Sequence, residues 1–169
     1  MNTTAVKTQS LWRTALIDVV LITVACLVPT LSHLAAVPLY QLNPMLIVLM
    51  TGMLLVNDRR NAFLLAVLLP LVSMLAVGMP TPAKALCMGA ELLTLVSVFT
   101  LLQSRWGFAS ASVAGRFTAV VAAMLCGKMV YYALKAVILA PAVLISTPWT
   151  IQLLVMVGVA LLFALLQRK

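Results

Sequence analysis

Acidic residues are nearly absent from this sequence. Three of its 169 residues are Asp or Glu, and these are Asp18, Asp58 and Glu91, far apart along the chain. They lie at different depths, which leaves no pair of carboxylates for the acid–base chemistry of an intramembrane aspartic peptidase. The sequence also contains no GxSxG, HExxH or phosphate-binding P-loop motif, which excludes the hydrolases that these motifs mark. We therefore expect no enzymatic activity, and in particular no ATP hydrolysis by this chain alone.

Residues that bind metals are also scarce. The chain has three cysteines and one histidine. Cys26, Cys87 and Cys126 all fall in apolar runs, and neither they nor His33 have a second ligand at metal-binding spacing. Cysteine in such a setting behaves as a small apolar side chain. The sequence predicts buried free thiols, no metal site and no cofactor.

Charge of either sign is rare, and apolar residues dominate. Charged residues make up 8% and hydrophobic residues 64% of the chain, and the mean hydropathy is +1.19. Soluble domains, in contrast, are about half apolar and a quarter charged. The formal net charge of +8 comes from basic residues that stand singly or in pairs between apolar runs. Because they form no basic stripe, they indicate membrane topology rather than nucleic-acid binding.

Six apolar runs are separated by short segments rich in proline, glycine or charge. A membrane-spanning helix needs about 20 apolar residues, because the hydrocarbon layer is about 30 Å thick. The clearest breaks are the NDRRN segment (57–61) and Gly78 with Pro80 and Pro82. We predict an all-α membrane protein, in which residues 1–169 form a single bundle of six transmembrane helices. The predicted spans are about 14–34, 44–57, 62–77, 84–102, 116–139 and 147–166.

The distribution of basic residues predicts the orientation, because cytoplasmic loops collect Lys and Arg. An N-in/C-in arrangement places eight of the eleven basic residues on the cytoplasmic side. These are Lys7, Arg13, Arg59, Arg60, Arg105, Arg116, Arg168 and Lys169. The other three, Lys84, Lys128 and Lys135, fall at the outer face or within the membrane.

Ionisable side chains inside spans are costly and usually face the bundle interior. Glu91 lies about 10 Å below the outer end of span four, and Lys128 lies about 12 Å below the outer end of span five, at about 1.5 Å per residue. At matching depth on antiparallel neighbours, the two are expected to pair. Such a pair serves either as a structural ion pair or as part of a ligand site that opens outward. Asp18, near the cytoplasmic end of span one, is expected to pair with a neighbouring helix.

Span five carries a polar face near its outer end. Lys128, Tyr131, Tyr132 and Lys135 are spaced i, i+3, i+4 and i+7, which places them on one side of a helix. This face is too polar for lipid and should look inward. The same spacing places Lys84 and Glu91 on one stripe of span four. Trp149 and Gln152 begin span six, where Trp149 is either an interfacial anchor or a ligand contact.

The outer half of the bundle therefore holds several cations against a single acid. A pocket lined in this way favours an anion. We expect a small ligand that bears a carboxylate or phosphate, with Lys128 or Lys135 contacting the acid group. The two tyrosines would then flank an apolar or ring portion of the ligand.

A known family shares this pattern of six short spans in fewer than 200 residues. The matching segments are Asn43 to Pro80, which opens on Asn-Pro, the stretch of span four around Glu91, and GKMVYYALKAV at 127–137. In these segments the chain resembles the substrate-binding S component of energy-coupling factor (ECF) transporters. The resemblance implies a bundle that binds a water-soluble vitamin from outside and works with a membrane coupling protein and two cytosolic ATPases. It also implies a bacterial or archaeal cell membrane.

The candidate substrate-binding residues lie near the outer ends of spans two, four, five and six. They are Asn43, Lys84, Glu91, Lys128, Tyr131, Tyr132, Lys135, Trp149 and Gln152. The sequence departs from the family at the alanine-x-x-x-alanine docking face of span one, where Ala15 is followed by Val19, while Ala62 and Ala66 in span three have that spacing. It also lacks an N-terminal histidine site, which favours an organic ligand over nickel or cobalt. The alternative is a non-transport membrane scaffold resembling rod-shape-determining protein D, which needs no polar cavity.

Overall fold

Helices account for the regular structure in the part of the chain that the structure describes. The computed structural model describes residues 3–34, 42–106, 112–138 and 148–167, and the side chains of all of these except 3–10, His33 and Trp106. Within these ranges the regular elements are six α-helices, so the all-α prediction is confirmed. They are α1 (Thr3–Leu34), α2 (Pro44–Val56), α3 (Arg59–Val77), α4 (Pro82–Trp106), α5 (Val113–Ile138) and α6 (Trp149–Leu166).

Five of the six helices are long and apolar enough to cross a membrane, as a multi-pass membrane protein requires. The exception is α2, which has 13 residues and a length of about 20 Å at 1.5 Å per residue. This is shorter than the hydrocarbon layer of about 30 Å. In contrast, α1 has 32 residues and begins well before the predicted start at 14.

The turn between α2 and α3 shows how the chain sets its helix ends. Asn57 ends α2 in the left-handed conformation, with φ 49°, and its N–H donates to the carbonyl of Met53 at 3.2 Å. The Asp58 carboxylate then accepts from the N–H of Arg60 at 3.0 Å and caps α3. The predicted tight turn at NDRRN is confirmed. Because Asp58 caps the next residues into a helix, α3 starts at Arg59 and not at the predicted 62.

Further along, α3 ends as expected and continues through an internal proline. Gly78 has φ 72° and donates its N–H to the carbonyl of Met74 at 3.0 Å. Glycine adopts this left-handed conformation with the least strain, because it has no Cβ, which explains the stop. Pro70 lies buried in the middle of the helix.

The helices α2 to α6 pack in chain order, and α2 also contacts α6. The most extensive contact joins α4 and α5, whereas α1 packs mainly on α2 and α3. Small residues permit the close approach of α4 and α5, since a Cβ at Gly127 would lie 2.8 Å from the carbonyl oxygen of Glu91. The centre of the bundle is filled by Leu49, Leu65, Leu69, Leu95, Val120, Met124 and Phe163.

The two ends of the bundle carry different basic residues. Lys84, Lys128 and Lys135 lie toward the start of α4 and the end of α5, and this end is called the lysine end. The opposite end is called the arginine end. It holds Arg13, Arg59, Arg60, Arg105 and Arg116.

Candidate ligand site

A buried ion pair lies near the lysine end. The Nζ of Lys128 on α5 is 2.8 Å from Oε1 of Glu91 on α4, and the two side chains are 24% and 4% exposed. The predicted pairing is confirmed. Asn43, immediately before α2, donates from its amide to the same Glu91 oxygen at 3.4 Å. Three elements of the bundle therefore meet at one carboxylate.

The polar face of α5 looks inward, as predicted. Tyr131 and Lys135 are buried, and Lys128 and Tyr132 are partly buried. The ring centroid of Tyr131 lies 5.3 Å from Nζ of Lys128 and 5.8 Å from Nζ of Lys135. These distances are within the range of cation–π attraction. Both ammonium groups of this face therefore contact one aromatic ring.

A second group of side chains joins α5 to α6 at the same end. The hydroxyl of Tyr132 donates to Oε1 of Gln152 at 2.8 Å. The Tyr132 ring stacks on Trp149 with centroids 5.4 Å apart and meets the edge of Tyr131 at 5.3 Å. Trp149 therefore contacts Tyr132 with part of its ring, while 53% of its surface is exposed. The contact between Tyr131 and Tyr132 connects this group to the side chains around the ion pair.

Next to the ion pair there is a cavity of about 20 Å³. This volume holds about one water molecule, whereas pockets for drug-sized ligands have about 300–1,000 Å³. Beyond the predicted residues, its lining includes four apolar ones that the sequence analysis missed. They are Leu46, Met124, Val155 and Met156. Val155 and Met156 follow Gln152 at i+3 and i+4, a helical spacing that could have indicated them.

No protein-family model, curated protein or solved structure matches this chain. Function therefore has to be inferred from the chemistry of the site itself.

The remaining predicted positions are Lys84, His33 and Asp18. Lys84 is exposed at the start of α4. The side chain of His33 lies outside the described residues. Asp18 accepts a hydrogen bond from the amide of Asn61 on α3 at 2.9 Å, so the expected partner on a neighbouring helix is confirmed.

Burial bears on two features of the sequence, and it corrects the expectation that all three thiols are buried. Ala62 and Ala66 are 3% and 0% exposed. The two alanines with this spacing therefore lie in the core. Of the three cysteines, which are all free, Cys87 is buried, whereas Cys26 and Cys126 are only partly buried.

Proposed function

We propose that this protein is a six-span bundle with both termini in the cytoplasm that binds a small anionic micronutrient from outside, as the S component of an ECF-type importer does. In this arrangement the short helix α2 crosses the membrane in addition to the five long helices. It contacts α1, α3 and α6. The arginine end faces the cytoplasm, because basic residues are retained there. The lysine end then faces outward.

The observation that carries this proposal is the buried ion pair and the polar side chains around it. Glu91 is 4% exposed and lies at the contact of α4 and α5. Ionisable groups placed this deep in a membrane bundle generally serve binding or transport, because their burial costs several kcal/mol otherwise. Lys128 and Lys135 both face Tyr131. Two ammonium groups against one carboxylate leave an excess of positive charge, which favours an anion.

Binding then follows from the arrangement of these groups. The carboxylate or phosphate of the ligand contacts Lys128, and its apolar or ring portion lies against Tyr131 and Tyr132. A ligand larger than one water must widen the cavity beside Lys128. The wall that α6 provides is held to α5 by the Tyr132–Gln152 hydrogen bond and by the stacked Trp149. Both contacts can be exchanged for contacts with a ligand.

Uptake in this proposal requires partners, namely a membrane coupling protein and two cytosolic ATPases. The purified subunit in liposomes should neither hydrolyse ATP nor accumulate ligand. Accumulation by the subunit alone would contradict the role.

The central test is a binding panel. Native mass spectrometry of the purified protein should first identify a small molecule that remains bound. Affinity is then measured for wild type, Lys128→Met and Lys135→Met, with Arg105→Met as the control on an exposed basic residue at the arginine end. Loss of a charged hydrogen bond worth about 1.5–3 kcal/mol predicts a loss of affinity of about ten- to a hundredfold. Tight binding of a cationic vitamin, or unchanged affinity in both buried-lysine variants, would refute the proposal.

A second candidate, the non-transport scaffold, is favoured by one observation. The cavity beside Lys128 holds about one water molecule, and the lysine is already paired with Glu91. In a scaffold this pair would only join α4 to α5. Absence of any bound small molecule, together with loss of stability but no loss of binding in Lys128→Met, would support this candidate.

A further inference from the structure

A second cavity lies at the arginine end of the bundle. It has a volume of about 230 Å³ and is partly open. This is room for several water molecules. The floor is apolar and includes Phe99 and Phe163, whose rings meet edge to face at 5.4 Å. The rim is polar and includes Arg59, Gln103 and Gln167.

One rim atom lacks a partner. The side-chain oxygen of Gln167 is buried and, among the side chains that the structure describes, is the one buried polar atom without a hydrogen-bond partner. Leaving a buried acceptor unpaired costs about 1–3 kcal/mol. The backbone carbonyl of Gln167 already accepts from the guanidinium of Arg116. A hydroxyl or amine donor that enters the cavity beside Gln167 would satisfy this buried oxygen.

The charge around this cavity favours an anion. Arg59 lines the cavity, and Arg60 and Arg105 are exposed at the same end. The acidic residue on the rim, Asp58, accepts from the N–H of Arg60. Arginine is suited to phosphate, because its planar guanidinium donates two parallel hydrogen bonds.

The position of the cavity favours a lipid as the source of this phosphate. In the orientation proposed above, the arginine end lies in the cytoplasmic leaflet, where basic pockets between helices bind anionic headgroups. An exposed apolar surface that acyl chains can cover runs along α6 up to Gln167. It is formed by Leu161, Leu162, Leu165 and Leu166.

We propose that this cavity binds a glycerol phosphate headgroup, supplied by a phospholipid such as phosphatidylglycerol. Arg59 holds the phosphate, and Gln167 accepts a hydrogen bond from a glycerol hydroxyl. Phe99 and Phe163 form the floor beneath the headgroup.

The test compares lipids and variants by native mass spectrometry of the full chain in detergent. The probes are phosphatidylglycerol, phosphatidic acid, which lacks headgroup hydroxyls, and phosphatidylcholine. We expect phosphatidylglycerol to bind about tenfold more tightly than phosphatidylcholine, equivalent to about 1.4 kcal/mol. Arg59→Gln should remove most of this preference, while the control Arg105→Gln, on an arginine outside the cavity, should keep it. Gln167→Leu should reduce the preference for phosphatidylglycerol over phosphatidic acid.

Further arms identify the source of the phosphate and the outcome that overturns the proposal. Competition by soluble glycerol 3-phosphate would support the same chemistry with a free metabolite as its source. Circular dichroism of each variant checks that it is folded. Equal binding of phosphatidylglycerol and phosphatidylcholine would mean that the cavity does not recognise the glycerol phosphate headgroup. Equal losses in Arg59→Gln and Arg105→Gln would mean that anionic lipids are attracted by the general positive charge of this end. Either result would overturn the proposal.

Discussion

Removing either partner of the Glu91–Lys128 ion pair should destabilise the protein, but by unequal amounts. Lys128→Met leaves the Glu91 carboxylate 4% exposed, with the Asn43 amide at 3.4 Å as the remaining hydrogen-bond donor among the described residues. Glu91→Gln instead leaves an ammonium group on a side chain that is 24% exposed and lies 5.3 Å from the Tyr131 ring. The carboxylate is the worse group to leave unpaired.

The burial of each partner sets the size of the two effects. Removing one partner of a buried ion pair costs about 3–5 kcal/mol, and we expect about 3 kcal/mol for Lys128→Met because the lysine is partly exposed. Glu91→Gln should cost about 1 kcal/mol, since a neutral amide remains and the lysine keeps its cation–π contact. The double variant should lose less than the sum, with a coupling free energy of about 2 kcal/mol.

The assay is reversible unfolding in mixed micelles, with the free energy of unfolding measured for wild type, both single variants and the double variant. Lys84→Met is the control, because an exposed surface substitution should change stability by about 0.5 kcal/mol or less. Equal losses of unfolding free energy in the two single variants would refute the argument that burial sets the size of each loss. Additive losses in the double variant would show that the ion pair contributes no energy of its own.

Two further predictions concern contacts between neighbouring helices. Gly127→Ala places a Cβ 2.8 Å from the carbonyl oxygen of Glu91 and should lower the unfolding free energy by about 1–3 kcal/mol. Gly158→Ala, where a Cβ meets nothing within 4 Å, is its control, and an equal loss there would contradict the close-packing explanation. Tyr132→Phe removes the donor to Gln152 but keeps the aromatic ring, so unfolding measurements should show a loss of about 1 kcal/mol. No loss would mean that this hydrogen bond does not hold α6 to α5.

The helices could be predicted from the sequence because long apolar runs and their breaks are local signals. Asp58 caps the start of α3 and Gly78 ends it, and both residue types are recognisable in the sequence as helix-terminating signals. The start of α1 could not be found in this way. Its helix extends to Thr3, through residues too polar to resemble a span, and helical propensity alone does not mark where a helix leaves the membrane.

Depth along a helix was also predictable, whereas the direction in which each side chain points was predictable only in part. Counting residues placed Glu91 and Lys128 at one level, and they pair. The same count placed Lys84 on the stripe of Glu91, yet Lys84 is exposed, whereas its neighbour Ala85 is buried. The partners of Asn43 and Gln152 depend on the arrangement of α2 and α6, which single-helix periodicity does not contain.

Both proposals depend on the separation of lysine and arginine between the two ends of the bundle. Among the described side chains, the three lysines lie at one end and the five arginines at the other. An ammonium group is a compact charge that can exchange one carboxylate for another, whereas guanidinium is suited to lasting, two-pronged contact with phosphate. A site that must release its ligand therefore suits the lysine end, and a retained lipid headgroup suits the arginine end. If this division holds, Lys128→Met will weaken the soluble ligand but spare phosphatidylglycerol, and Arg59→Gln will do the reverse. Loss of both ligands in either variant would instead indicate that each substitution disturbs the whole bundle.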